Sequence, residues 1–518
     1  MLYLATIFHM HQPYYKNLLT QEAEMPWVRL HGIKDYLDMA QILEKYPAVH
    51  QTFNVVPSLL EQIESYAEHT VKDKFLELSY KPAAELSQKD KEFIIHRFFS
   101  IDLERCIAIH PRYYDLYFKR QLRIEFTTQD FLDLQVMFNL AWTDPSFRTS
   151  IPELKRLMGK GRFFTEEEKR SALDTQEKIL NEIIPTYKKI MATGQLEVIL
   201  SPFYHPILPL LYSTKLGKEA NPRTVLPNIQ FAYPQDVKVQ IDEAIKFYAL
   251  RFGVNPSGMW PSEESVCEHI VPYFINAGIN WIIADEAILF KSLKCKKRDT
   301  KLLYQAHRLE RKGGGLNIVF RDRNLSDLIG FVYHHWNPKD AVNDLLKHLE
   351  NIAGAFKGRD ALVAIAMDGE NAWEYYSNDG HDFLNELYAR LSEAKFLKTT
   401  TVNEYLKMFP PKDNITRLAA GSWIYAEFAK WIGNPSKNKA WEWLAQARGE
   451  LQRMVRANEP ISELIWKQMY ICEGSDWFWW YEDEPNYDFD ALFRTHLSNF
   501  YTLINKPIPE YLKYPLRI

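Results

Sequence analysis

The chain has 518 residues, 46% of them apolar and 25% charged, ordinary globular usage at a length that excludes a peptide, a lone binding module or a disulfide-stapled scaffold. Lys and Arg number 63 against 67 Asp and Glu, a net charge of −4 with both signs spread along the sequence. No basic field argues for a phosphate-backbone partner, so no nucleic-acid ligand is expected.

Taken in order, seven apolar runs share one habit: a buried-strand composition followed by an abrupt change to polar residues. They are Leu2–Phe8 into His9-Met10-His11-Gln12-Pro13, Val49–Val56 carrying Gln51 and Asn54, Leu196–Leu200 into Ser201–Pro206, Gly258–Trp260 into Pro261-Ser262-Glu263-Glu264, Trp281–Ala284 into Asp285-Glu286, Leu316–Phe320 into Arg321-Asp322-Arg323, and Ala361–Met367 into Asp368-Gly369-Glu370-Asn371. The first has no Lys or Arg before it and no small-residue cleavage site after it, so it reads as a strand rather than a signal segment. Short unbroken apolar runs separated by helical patterns suit a parallel sheet covered on both faces. Polar residues gathered at the C-terminal end of each strand meet in one place if that sheet closes, so the sequence predicts an α/β fold, an irregular (β/α) barrel of seven strands.

Two regions depart from a simple barrel. Residues around 60–125 read as charged-faced helices, for example Ser58–Glu68 and Gln88–Cys106, too long for one crossover and therefore an insertion beside the barrel mouth. The barrel pattern of residues 1–408 ends at the Pro-rich stretch Phe409–Asp413. The segment 409–518 is helical and holds Trp423, Trp431, Trp441, Trp443, Trp466, Trp477, Trp479 and Trp480, eight of the 14 Trp in a chain that is 14% aromatic. Flat rings fill cores, and they are also surfaces on which sugars stack. Cys106, Cys267, Cys295 and Cys472 are scattered without zinc spacing, which predicts reduced thiols and a cytoplasmic protein. No apolar stretch is long enough to span a bilayer.

Glycoside hydrolysis asks for two carboxylates facing one anomeric carbon, one ionised and one protonated, in an aromatic-lined cleft. Glu263, three residues after Trp260, and Asp368, followed by Gly369 and Glu370, supply such a pair at strand ends. Taken alone, Asp-Gly-Glu is a solvated loop cap; the set of strand-end clusters is what lifts it. His9 and His11 lie on one side of an extended chain. They read equally as part of a metal site, as neutral hydrogen-bonders to hydroxyls, or as satisfied polar groups, and His205 is similar. Arg311–Gly315 lacks the downstream residues of a phosphate loop and reads as a hairpin turn.

These residues resemble five ordered regions of glycoside hydrolase family 57: His9–Pro13, Gly194–Glu197 running to His205-Pro206, Gly258–Glu263, Ala366–Asn371 and Thr400–Tyr405. Segments Pro26–His31, Asp130–Trp142 and Glu473–Trp480 are also similar to the family. The resemblance implies a distorted (β/α)7 barrel followed by a C-terminal helical bundle, acting on α-glucans or maltooligosaccharides by a retaining double displacement without a cofactor or metal. Carried onto this sequence, the nucleophile is Glu263 and the general acid/base is Asp368. An ionised Glu263 would raise the pKa of a carboxyl about 5–5.5 Å away, keeping the proton on Asp368. Adjacent Glu264 is the internal competitor and should point the other way.

Gln12-Pro13 departs from the branching-enzyme pattern and Asp368-Gly369-Glu370-Asn371-Ala372-Trp373 from that of the glucanotransferases. The match is therefore to the α-amylase and amylopullulanase members, with α-1,4 links as substrate and α-1,6 links as an addition. His9, His11 and His205 are expected to line the catalytic subsite, Trp260 to flank it and Glu370 to sit near the acid. Trp423 and one of Trp477 or Trp479 are expected as sugar platforms, with bundle core as the other reading. Asp322 orients hydroxyls or pairs with Arg321 or Arg323. Alternative functions are a 4-α-glucanotransferase or branching enzyme on the same site, a metal-dependent barrel enzyme, and a non-catalytic glucan-binding protein.

Overall fold

In the computed structural model, which describes residues 1–411, 414–481 and 487–516, all seven apolar runs are strands. They are β1 (Leu2–Met10), β2 (Gln51–Val55), β3 (Leu196–Ile199), β4 (Gly258–Met259), β5 (Trp281–Asp285), β6 (Gly314–Arg321) and β7 (Ala361–Asp368). They pair in parallel in the order β3-β2-β1-β7-β6-β5-β4. A parallel bridge between Leu200 and Met259 joins the two ends, with the Trp260 amide donating to the Leu200 carbonyl at 2.9 Å. The barrel is therefore nearly closed, and irregular for a visible reason: the β3–β4 seam is a single bridge and the β6–β7 seam a single register pair, Ala364 with Arg321.

Strand composition explains the closure. Residues Leu4–Met10 of β1 are buried on both faces, the environment in which unbroken apolar runs are stable. Ala5, Ile7, Ile199, Trp281, Ile283, Val319 and Ala366 form one interior cluster, each large aliphatic or aromatic side chain contributing roughly 1.5–3 kcal/mol by burial. Gly258 is needed because a Cβ there would lie 2.2 Å from the Trp281 indole. The predicted hairpin is present: His307–Arg311 runs antiparallel to β6 and turns at Lys312-Gly313.

Between β2 and β3 the chain from Pro57 to Ala192 is mostly helical, interrupted by the two-residue strand Lys72–Asp73 that pairs with Glu22–Ala23, and the helices run well past residue 125. This stretch includes α1 (Pro57–Ala67), α2 (Gln88–Arg97), α3 (Thr128–Trp142) and α4 (Glu166–Asn181). Helices α2, α3 and α4 each begin with a capping box, from Ser87, Thr127 and Thr165, which supplies acceptors for otherwise orphaned amides. After residue 408 come α5 (Pro435–Arg456), α6 (Glu463–Cys472) and α7 (Tyr487–Leu503); Lys412 and Asp413, the end of the Pro-rich boundary, lie outside the described residues. Specific polar contacts hold this segment to the barrel: His496 Nε2 meets the Tyr14 carbonyl at 2.9 Å, Gln240 donates to Glu473 at 2.9 Å, and Arg448 clasps Asp236 through two bonds. Among the described residues, no helix is long and apolar enough to cross a membrane.

Candidate active site

The C-terminal ends of β1, β3, β4 and β7 converge on one cleft. Its wall is a group of three imidazoles. The His11 ring stacks on His205 at 4.0 Å between centroids, His9 lies 5.0 Å from His205, and His9 stacks on Trp260 at 5.0 Å and 20°. Asn54 Nδ2 donates to His9 Nδ1 at 2.5 Å and to Ser201 Oγ at 3.0 Å, which leaves the ring proton of His9 on Nε2. Burial, and secondarily the neighbouring imidazoles, push His9 and His205 well below the ordinary histidine value, so both are neutral at pH 7. His11 Nε2 meets Asp476 Oδ1 at 2.8 Å and His205 Nδ1 meets Ser475 Oγ at 3.1 Å. The opposite nitrogens, His11 Nδ1 and His205 Nε2, are buried without a protein partner, and such groups are costly unless a ligand satisfies them.

Glu263 follows β4 in a conformation few non-glycine residues adopt. Both it and Glu264 are left-handed, at φ 59° and 50°, local strain of the kind that persists where surrounding structure imposes it. The restraint is Trp423 from the C-terminal segment: its amide donates to the Glu263 carbonyl at 3.2 Å and its indole Nε1 to the Glu263 carboxylate at 2.8 Å. Burial pushes the Glu263 carboxyl up to about 8 against the Trp423 bond, and repulsion from Asp368 adds to the rise. Glu264 resolves as the sequence argument expects. It is 1% exposed and faces Arg321, Arg323 and Asp285, with burial holding it at about 8.

Asp368 ends β7, in register with His9. Water reaches its carboxylate, yet the cleft walls desolvate it enough to raise its pKa, opposed by Asn371, which donates to it at 3.2 Å. Both carboxyls are thus held above their ordinary values, so the pair keeps a proton more readily than two exposed acids would. Gly369 is required for its size: its amide donates to the His9 carbonyl at 2.7 Å, and a Cβ would meet Met10 Cγ at 2.9 Å. Glu370 lies behind this loop, 1% exposed, accepting from the His11 amide at 3.2 Å and Gln12 Nε2 at 3.4 Å. Burial raises its carboxyl well above the usual range.

His9, His11, His205, Trp260, Glu263, Asp368 and Trp423 are thus brought together around one cleft. Two expected substrate contacts are not. Asp322 is 1% exposed and uses both oxygens internally, capping Leu325 at 3.0 Å and accepting from Tyr304 at 2.7 Å and Arg298 at 2.9 Å; Arg321 and Arg323 go to Asp285 instead. Trp477 is 1% exposed, donates to the Ile471 carbonyl at 2.8 Å and packs on Phe493 and His496, so it belongs to the bundle core. Trp479, half-buried with the Lys430 ammonium over its ring at 4.4 Å and the Trp431 ring at 5.9 Å, is less enclosed than Trp477. Sequence reasoning missed Asn54, Ser475 and Asp476, the groups that orient the three imidazoles. The sequence signals for the last two were a small polar triplet, Gly474-Ser475-Asp476, between apolar helices and the likeness of Glu473–Trp480 to a family segment. His11, His205 and Asp476 also bring one donor atom each within 4.8 Å of one another, an arrangement that could hold a cation.

The chain is similar in sequence and in fold to known proteins. Over 263 residues the chain is 29% identical to an α-amylase of Dictyoglomus thermophilum, and over 299 residues 23% identical to a 4-α-glucanotransferase of Thermococcus kodakarensis. These matches take in 50% and 56% of this chain but only 33% and 39% of the relatives' own length. The fold is similar to the crystal structure of a branching enzyme of Pyrococcus horikoshii, with a TM-score of 0.65 at 16% identity over 97% of this chain and 90% of that one. An α-amylase of Thermotoga maritima gives 0.59 at 14% identity, over 97% and 93%. The model of glycosyl hydrolase family 57 matches residues 5–417, from within β1 to beyond β7, and the chain belongs to that family.

Proposed function

We propose that this protein is a retaining enzyme on α-linked glucans that hydrolyses α-1,4 links, with α-1,6 links as an additional substrate. The observation that carries the reading is the carboxyl pair across the barrel mouth. Glu263 is oriented by Trp423, Asp368 sits on a strand three places away around the sheet, and the two are close enough to repel each other. The working division is a barrel unit through residue 408 with its helical insertion, and a helical unit from 409 that completes the cleft with Trp423, Ser475 and Asp476.

In the first step the Glu263 carboxylate attacks the anomeric carbon, the bond to the glycosidic oxygen breaks, and the Asp368 proton goes to that oxygen. In the second, Asp368 takes a proton from water, the water oxygen displaces Glu263, and the anomeric configuration is retained. Chemistry needs one proton on the pair. The productive arrangement has Glu263 ionised and the proton on Asp368, and the ionised Glu263 stabilises the positive charge that develops at the anomeric carbon in the transition state. The nitrogens of His11 and His205 that have no protein partner are the candidate hydrogen-bonding sites for sugar hydroxyls. Trp260, Trp423 and Trp479 supply ring faces.

A second reading, transfer of the glucosyl unit to another glucan, uses the same intermediate. It is favoured by the relatives named as a 4-α-glucanotransferase and a branching enzyme. Four cysteines without disulfide partners support a reducing, cytoplasmic compartment. The product spectrum from maltoheptaose, with Glu263→Gln as control, separates the readings. Shorter chains with new reducing ends support hydrolysis, longer chains at constant reducing ends support transfer, and no change refutes both.

A further inference from the structure

Behind the loop that carries Asp368 lies a second cluster of donor groups that the catalytic reading does not use. Asp38 sits in the short helix Asp38–Gln41 after β1, Asp144 at the N-cap of Pro145–Ser150, and His381 at the start of His381–Glu393, the first long helix after β7. One donor atom from each lies within 4.8 Å of the others, and all three residues are buried or nearly so, at 6%, 0% and 12% side-chain exposure. His381 Nε2 is 2.7 Å from Asp144 Oδ2 and 3.8 Å from Asp38 Oδ2.

The surrounding charges do not balance this group. Asp35 is held by Lys34 at 3.1 Å and His31 at 2.7 Å, and Asp379 is held by Lys34. Asp144 Oδ1 accepts from the Ser146 amide at 2.8 Å and from the Ser146 hydroxyl. Lys45 and Arg148 lie farther off, acting on His381 and Asp144 only through space. Apart from His381 at 3.8 Å, Asp38 has no cationic group in contact among the described residues, and its Oδ1 is buried with no hydrogen-bond partner. A buried carboxylate with one oxygen turned toward an imidazole and the other left unsatisfied is costly as it stands, and with the second carboxylate beside it the set has the donors of a cation site.

We propose that Asp38, Asp144 and His381 bind one divalent transition-metal ion that staples the segment after β1, the end of the helical insertion and the loop after β7. Two carboxylates and one imidazole suit Zn²⁺, Mn²⁺ or Co²⁺ rather than Ca²⁺, whose sites are built from oxygen. The ion satisfies Asp38 Oδ1 or its twin oxygen and replaces the proton between His381 and Asp144. It also pins the turn Asn378-Asp379-Gly380, all three left-handed, which closes the loop begun at Asp368. The role is structural, and it stands whether or not the catalytic assignment does.

The test is metal content. Chelator-stripped protein is dialysed against buffered Zn²⁺, Mn²⁺ and Co²⁺, and bound metal is measured by mass spectrometry with the thermal midpoint read in parallel. The expected result is about one ion per chain, a rise in Tm of a few degrees on loading, and loss of both in Asp38→Asn and His381→Gln. The ion should be retained in His11→Ala and Asp476→Asn, which remove the cleft donors. The sign of the Asp38→Asn effect decides the matter independently. With a metal it destabilises, whereas if Asp38 is merely an uncompensated or protonated acid it is neutral or stabilising. Should a variant fail to fold, X-ray absorption on the loaded wild type counts imidazoles, one at this site and two at His11 and His205. Substoichiometric binding of all three ions, retention in Asp38→Asn, or a two-imidazole shell overturns the proposal.

Discussion

Replacing Trp423 by Phe tests the electrostatic core of the mechanism. The substitution keeps an aromatic ring under Arg321, whose guanidinium carbon lies 5.6 Å from the Trp423 ring, and leaves intact the backbone bond to the Glu263 carbonyl. It deletes only the indole N–H that donates to Glu263 at 2.8 Å. A hydrogen bond to an ionised acceptor is worth roughly 1.5–3 kcal/mol, and one pKa unit is about 1.4 kcal/mol. Loss of the bond therefore raises the Glu263 carboxyl by about one to two units from its position near 8. The pair is active with one proton, and its apparent pKa values belong to the pair rather than to either residue. In the wild type, kcat/KM should fall above pH about 8, where the last proton leaves. The acid limb should lie above the ordinary aspartate value, because burial raises Asp368. In Trp423→Phe the alkaline limb should move upward, and kcat/KM near neutrality should drop about 10- to 100-fold, because the state with Glu263 ionised becomes rarer. The assay is initial rates on maltoheptaose from pH 4 to 10. An unchanged alkaline limb, or a rise in KM alone, refutes the reasoning and makes Trp423 a stacking platform.

Other outcomes follow from the same geometry. Glu263→Gln should reduce turnover by about 10⁴-fold or more while raising stability at alkaline pH. The Glu263 carboxyl has a folded pKa above its unfolded one, so the stability it contributes is full below about pH 4.5 and is lost as pH rises toward 8. Denaturant midpoints of the two proteins that stay parallel from pH 5 to 9 would contradict this. Asp476→Asn, by weakening the 2.8 Å contact that orients His11, should cost about 10-fold in kcat/KM with little change in Tm; steady-state kinetics beside calorimetry checks both. Trp477→Phe should do the opposite, leaving kcat within about two-fold and destabilising by about 1–3 kcal/mol through the orphaned Ile471 carbonyl. A large loss of activity in a stably folded Trp477→Phe would restore it as a sugar platform.

Much of the architecture was legible because strand burial writes itself into composition. Seven apolar runs, each ending in polar residues, became seven parallel strands, and even the hairpin at Arg311–Gly315 followed from local residue types. Glu263, Asp368, His9, His11 and Trp260 were legible for a related reason: a strand end is a position in sequence, and a parallel barrel turns that position into a place in space.

What the sequence by itself determined, then, was the set of elements and the groups standing at their ends. Only the tertiary structure decided which side chains meet across long separations. Asp322 and Trp477 have the right residue types at plausible places, yet internal partners claim them first: Tyr304 and Arg298 for one, the Ile471 carbonyl for the other. Ser475 and Asp476 join the cleft only because the helical segment folds back over the barrel, 465 residues along the chain from His11. The raised carboxyl of Glu263 was likewise invisible, because it comes from burial, and burial is a property of the packed molecule rather than of any local stretch of chain.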